Sequence, residues 1–437
     1  MPNKEASFSR RSLLRNPTIG ILILSNGITM LGFGQILPII PILLYDKLNA
    51  SEIEIGLTIS IFAVTRVLSQ GPIGSLSDRY GRKAFIVIPL FAYGLVSIFY
   101  IFATQTWHVL AIRAFQGFFS GALWPVSDAM VMDVCEPKHR GKVISTIQIA
   151  YNTGWFTGPF VGGVISNMYG LNATFGFSAG LSFIAFVFAL FFLKETVQKR
   201  ERFEGVNAIY SMNFVQHFKK ASMTFKKFPA LKNLAVSALI LYTAASLMQG
   251  YTPIFITNVL NGDELDTGLI LGLTGIFSLV VQFFFGEVGD KYGKWKVLLL
   301  GVFISVLTSP LLLFVDNIMD AYIIIPLVLG ANAMATPMFT ALVGDALPLE
   351  ARGAGYGAYG VVRDISMIIG SPLGGLVLEL SRRLLYLELL PSLKILFVFR
   401  SLMLILTLTV VIHYIKSFKE VDSVIWLRSK VPLADTH

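Results

Sequence analysis

Cysteine is almost missing from this chain: Cys135 stands alone, so no intrachain disulfide can form. The five histidines form no ligand pair, and no cysteine cluster suggests a zinc or iron–sulfur site. No GxxxxGK[ST] loop is present to cradle a nucleotide. No HExxH pattern or nucleophile–base arrangement points to catalysis. The sequence therefore predicts no enzyme, no cofactor, no metal site and no catalytic residues. Charge is scarce as well. Only 14% of the 437 residues are Asp, Glu, Lys or Arg, against about 25% in soluble proteins. A mean hydropathy of +0.70 over this length excludes one oversized water-soluble core.

What is present is a series of long apolar runs. They lie near 17–45, 54–76, 84–104, 107–135, 141–167, 171–194, 233–258, 266–286, 296–315, 319–347, 353–380 and 394–416. Each is long enough to cross ~30 Å of hydrocarbon, several with tilt. The first run is too long for a signal-peptide core, which makes 1–16 a short basic tail. The net charge of +9 is distributed by side. Of the 35 Lys and Arg residues, 27 lie in the N-terminus, the C-terminus and alternate loops. Four lie on the opposite side (Lys47, Arg382, Arg383, Lys394) and four inside spans (Arg66, Arg113, Arg363, Arg400). The positive-inside rule then predicts a multi-pass protein of the cell membrane with both termini cytoplasmic. The basic excess reports topology and excludes a nucleic-acid partner.

The polar, basic segment at 195–232 divides the chain, giving expected six-helix bundles at 17–194 and 233–416 and a tail at 417–437. The two parts echo each other. Gly74-Ser-Leu-Ser-Asp78-Arg79-Tyr80-Gly81-Arg82-Lys83 returns 212 positions later as Gly286-Glu-Val-Gly-Asp290-Lys-Tyr-Gly293-Lys294. Asp133 maps to Asp345, Arg140 to Arg352 and Gln70 to Gln282 at the same offset, and Pro159 to Pro372 at 213. The fold class expected is an all-α membrane protein of twelve spans, built as two pseudo-symmetric bundles.

The segment from Gly74 to Lys83 resembles the signature loop of the major facilitator superfamily. Arg113-x-x-Gln116-Gly117 looks like a second motif of that family. Gly154-x-x-x-Gly158-Pro159-x-x-Gly162-Gly163 resembles the motif of its drug:proton antiporters, as does Gly34…Pro38…Pro41. The glycine expected nine positions before Gly154 is Ser145, so the fullest antiporter pattern is incomplete. The resemblance covers residues 17–416 and implies alternating access of two halves. It implies a conformational latch of Gly74, Asp78, Arg79, Gly81, Arg82 and Asp133, echoed by Gly286, Asp290 and Gly293. It also implies that the bare face of Gly154, Gly158 and Gly162 packs against span 8 of the other half.

Ionisable groups inside spans are functional candidates. On the fourth span, Arg113, Gln116, Ser120, Trp124 and Asp128 fall on one helix face, and Asp133 on the opposite one. Arg66 and Asp364 each lie ~16 Å from the cytoplasmic end of their spans, which makes an interdomain ion pair geometrically accessible. Asp128 and Asp364 are the proton-coupling candidates, because a carboxylate's proton affinity follows its surroundings. Asn26, Gln35, Asn152, Trp155, Tyr242, Gln249, Tyr359 and Arg363 complete the candidate cavity lining. The reading is a monomeric, proton-coupled exporter of small organic molecules, with lipid, substrate and protons as its partners. Uptake of a nutrient or organic anion remains open within the same fold, as does a receptor or scaffold without transport.

Overall fold

The computed structural model describes residues 16–197, 222–348 and 351–419. Most of both tails and most of the 195–232 segment fall outside the described residues. Among the described residues the long helices run in order α1 (Pro17–Lys47), α2 (Glu52–Tyr80), α3 (Ala84–Ile101), α4 (Thr106–Val134), α5 (Pro137–Tyr169) and α6 (Leu171–Phe192). Then come α7 (Pro229–Ser246, resumed at Thr252–Ile254), α8 (Glu264–Tyr292), α9 (Lys294–Phe314), α10 (Ile318–Asp345), α11 (Arg352–Leu384) and α12 (Leu389–His413). No strand occurs among the described residues. Nine of these helices are long and apolar enough to cross a bilayer. The other three, α2, α5 and α7, carry more polar side chains, among them Arg66, Asn152 and Tyr242.

The helix ends repeat as faithfully as the sequence motif. Gly81 and Gly293, 212 positions apart, take φ of 102° and 105° between α2 and α3 and between α8 and α9. Only glycine adopts that conformation without strain. Asn49 and Asn261, at the same offset, take φ of 49° and 54°, the left-handed region that Asn tolerates. Each follows a π-turn, Leu43–Lys47 after the first helix and Phe255–Val259 after α7. Helix α8 opens on a capping box in which Asp263 and Asp266 satisfy each other's backbone N–H.

Chain contacts divide the described residues into two compact units. One holds 16–40 with 65–197, and the other holds 41–64 with 222–348 and 351–419. In the first unit α1 lies along α5 and α6, and α3 along α4 and α6. Leu22, Leu90, Val126, Met130, Ile147 and Ala185 form its core. In the second, α7 packs on α11 and α12, and α10 on α8 and α9. Leu234, Leu241, Val302, Phe339, Leu342 and Leu404 form its core. The pairing of α1 with α5 and of α7 with α11 carries the duplication from sequence into packing.

Candidate translocation site

Helix α4 carries a row of polar side chains. Arg113, Gln116, Ser120 and Ser127 are buried, while Trp124 and Asp128 are half-buried. The Arg113 guanidinium donates through Nη1 to Gln116 Oε1 at 2.8 Å, and the Tyr100 hydroxyl donates to the same oxygen at 3.3 Å. Phe33 of α1 lies under the guanidinium, 5.8 Å from its carbon. Asn26 donates to the Leu22 carbonyl at 2.7 Å and to Ser127 Oγ at 3.4 Å. Among the described residues Asn26 Oδ1 and Gln116 Nε2 are buried without a hydrogen-bond partner, so this stripe is polar beyond what its own packing satisfies.

An aromatic array adjoins it. Phe33 stacks on Trp155 with centroids 5.7 Å apart, Trp155 on Tyr151 at 6.3 Å, and Trp124 meets Tyr151 edge-on at 4.4 Å. Asn152 is half-buried on the same helix as Trp155. Asp128, one turn beyond Trp124, makes no hydrogen bond or ion pair with a described residue. Gln35 has a different role: it is fully buried and donates to the Thr174 carbonyl of α6 at 3.4 Å, a helix-packing contact.

The glycine face of α5 meets α1 of its own unit. A Cβ on Gly158 would stand 2.7 Å from the Gln35 nitrogen, and one on Gly154 2.7 Å from the Leu31 nitrogen. Gly162 faces the Gln35 backbone in the same way, with Pro159 and Gly163 buried beside it. Two backbones approach this closely only where side chains are absent. The counterpart is Gly370 and Gly374 of α11, which meet Thr243 and Leu247 of α7. The sequence did signal this at the 212 offset, through Gly158–Gly370 and Gly162–Gly374.

In the second unit the hydroxyls of Tyr242 and Tyr359 lie 3.0 Å apart. Gln249 sits half-buried in the turn that interrupts α7. Asp364 is buried and Arg363 exposed on α11. Arg66 belongs to the first unit and Asp364 to the second.

The signature loop builds a charged cluster at one end of the first unit. Arg82 Nη2 lies 3.1 Å from Asp78 Oδ1, and Arg82 Nε lies 2.8 Å from Asp133 Oδ2. Asp133 also accepts from the Thr196 hydroxyl at 2.6 Å. Glu195, just past α6, accepts from the backbone N–H of Arg82 at 2.9 Å and of Lys83 at 3.2 Å. Burial alone would raise its carboxyl, but the N–H groups of Val197, Arg82, Lys83 and Thr196 outweigh that and lower it. Sequence reading missed Glu195 and Thr196, because an acid at the start of a linker carries no local signal. Gly74, Gly286 and Arg79 occupy their expected loop-proximal positions on α2 and α8. The second unit repeats the ion pair, with Lys294 Nζ 2.6 Å from Asp345 Oδ2. Asp290, the copy of Asp78, is exposed and has no partner among the described residues. The repeat extends to Arg140, which donates to the Met132 carbonyl at 2.8 Å, and Arg352, which donates to the Gly344 carbonyl at 3.0 Å.

A second cluster, at the N-terminal end of α2 and the C-terminal end of α11, had no sequence signal beyond loop charge. Buried Glu52 pairs with Arg382. Glu379 pairs with Arg383 at 2.7 Å and accepts from the Ile53 N–H at 3.4 Å. The Tyr251 hydroxyl donates to the Glu52 carbonyl at 2.9 Å. Among the described residues no group of His, Cys, Asp and Glu is arranged to hold a metal ion.

The family model described as Major Facilitator Superfamily matches residues 22–412. An uncharacterised MFS-type transporter of Methanocaldococcus jannaschii is 28% identical over 348 residues, covering 78% of this chain and 86% of that protein. Multidrug resistance protein 2 of Bacillus subtilis is 25% identical over 384 residues, covering 85% and 92%. Among solved structures, a bacterial homolog of the human lysosomal transporter Spinster superposes with a TM-score of 0.75 at 12% identity, covering 93% of this chain and 98% of that one. The nucleoside transporter NupG gives 0.74 at 12% identity, covering 91% and 99%. The family match spans the polar stripe of α4 and both charged loops, and the chain belongs to the Major Facilitator Superfamily.

Proposed function

We propose that this membrane transporter exports small organic molecules in exchange for protons, by alternating access. The observation that carries the reading is Asp128. It is a carboxylate inside a membrane-spanning helix, half-buried, with no ion pair or hydrogen bond to a described residue. A carboxylate so placed is suited to take up and release a proton during a transport cycle. It stands one turn from Trp124, at the edge of the Trp124–Tyr151–Trp155 array. Flat aromatic faces with few polar groups suit organic cargo of varied shape. Relatives named as multidrug resistance proteins support the same substrate class. Asp364 is the second coupling candidate, and its proposed pairing with Arg66 would tie proton occupancy to conformation.

The test is flux in proteoliposomes under an imposed pH gradient, screened over organic cations and neutral dyes. Wild type is expected to accumulate cargo against its gradient, in the direction opposite to the proton flow. Asp128→Asn is expected to retain downhill flux and lose accumulation. Accumulation by Asp128→Asn at the wild-type level would refute the assignment. Cargo moving with the protons would establish uptake instead.

A further inference from the structure

Arg400 is a buried charge that neither the latch nor the proposed translocation path uses. It stands eleven residues into α12 from Leu389, about 16 Å along the helix at 1.5 Å per residue and so near the middle of the span. Its side chain is fully buried. One edge of the guanidinium is fixed: Nη1 donates to Ser309 Oγ of α9 at 2.6 Å. Ser309 Oγ lies 2.8 Å from Ser401 Oγ, which donates to the Phe397 carbonyl at 2.9 Å. This chain runs donor to acceptor and ends on a backbone oxygen, so it supplies no negative charge. The other edge, Nε and Nη2, is buried with no hydrogen-bond partner among the described residues. No charged group of a described residue acts on it.

A guanidinium stays ionised at any physiological pH. Buried charges are paired, and buried N–H donors are satisfied. Arg400 meets neither condition among the described residues. The Nε–Nη2 edge offers two parallel N–H groups, the geometry by which arginine holds anions. One helical turn before Arg400 on α12 stand Leu396 and Phe397, and one turn beyond Ser309 stands Leu312, all buried and apolar. Such apolar neighbours supply no further donors for an oxyanion of several charges. We infer that Arg400 binds a small monovalent anion of the halide class on this edge, inside the second unit between α9 and α12. This site is separate from the proposed cargo path and does not depend on it.

The test is thermal unfolding of the purified full-length protein in nanodiscs, with sodium chloride exchanged for sodium gluconate at constant ionic strength. A ligand that binds only the folded state raises Tm saturably. A rise of about 3–5 °C is expected for wild type. Arg400→Met should fold and show a flat titration, since it removes the charge and keeps an apolar side chain of similar length. Ser309→Ala, which keeps the charge but frees Nη1, should shift the chloride midpoint about 10-fold. Equal wild-type Tm in the two salts overturns the inference, as does an Arg400→Met protein that keeps the wild-type chloride response. Should Arg400→Met fail to fold, the wild-type titration and Ser309→Ala decide between the same outcomes.

Discussion

Lys294 Nζ stands 2.6 Å from Asp345 Oδ2, and 212 positions earlier Arg82 Nε stands 2.8 Å from Asp133 Oδ2. One ion pair has thus been kept in both repeats although the cation changed from Arg to Lys. Each pair ties a signature loop to the end of the helix two positions further on, α4 or α10. Both are partly exposed, so each contributes about 0.2–1 kcal/mol to folding. The proposed latch role needs no more, because 1 kcal/mol shifts a two-state equilibrium about 5-fold. Asp133→Asn and Asp345→Asn are each expected to slow transport about 3- to 10-fold while moving Tm by less than about 3 °C. Initial-rate and unfolding measurements on the same preparations check this. A large loss of Tm with unchanged turnover would give these pairs to stability alone.

Glu195 sets a pH dependence of known sign. Four backbone N–H groups hold its carboxyl below the ordinary value of 4.5 despite burial. A depressed carboxylate contributes stability that is present above the unfolded-state value and lost as pH falls through the folded one. The Glu195 contribution should therefore be constant from neutral pH down to about 5 and fade below about 4.5. Glu195→Gln is expected to lie below wild type in Tm by about 1–3 °C at pH 7. The two curves should converge as the pH drops below that window. Unfolding scans between pH 3.5 and 7.5 test it, and a gap that widens toward acid would contradict the assignment.

The glycines separate packing from motion. A Cβ on Gly158 would enter the Gln35 backbone, whereas one on Gly74 or Gly286 meets nothing within 4 Å. Gly158→Ala should cost roughly 2 kcal/mol or more through overpacking between two main chains. Gly74→Ala and Gly286→Ala sit on helices α2 and α8 and should hold or slightly raise Tm, by up to about 1 kcal/mol of helix propensity. Any transport defect in the latter two would then arise in a state other than this one. Expression, Tm and flux measured together distinguish the cases.

Much of this was legible in the sequence because membrane physics is restrictive. Apolar length gives the spans, and an exact 212-residue offset exposes the duplication. Helical periodicity puts Arg113, Gln116 and Ser120 on one face and Asp133 away from it; the first three are buried, and Asp133 pairs with Arg82. What stayed hidden depends on contacts distant in the chain. Glu195 reaches Arg82 across more than a hundred residues, and nothing local marks it. The glycine face of α5 was legible as bare, but a bare face does not name its partner. Its fit to α1 follows from matching small surfaces at Gly27 and Gly34; Gly34 belongs to the antiporter-like pattern of the first span, and Gly27 to no motif. Arg400 was visible as a charge in a span, yet its isolation from acids is a property of packing.

Glu52 and Arg382 supply the last prediction. Glu52 is 7% exposed and its carboxylate pairs with Arg382, while its carbonyl accepts from Tyr251. Glu52 stands in the first turn of α2 and Arg382 in the last turn of α11, the ends whose dipoles favour those charges. Removing one partner leaves the other with an unpaired charge, and the penalty is unequal because Glu52 is the more buried. Arg382→Ala strands a buried carboxylate and should cost about 1–3 kcal/mol. Glu52→Gln strands a guanidinium that solvent reaches and should cost less than about 1 kcal/mol. The double variant Glu52→Gln/Arg382→Ala should recover part of the Arg382→Ala loss, giving a non-additive cycle. Strict additivity in unfolding experiments would show that the two side chains act independently, and that α2 and α11 are joined there by the Tyr251 and Glu379 contacts alone.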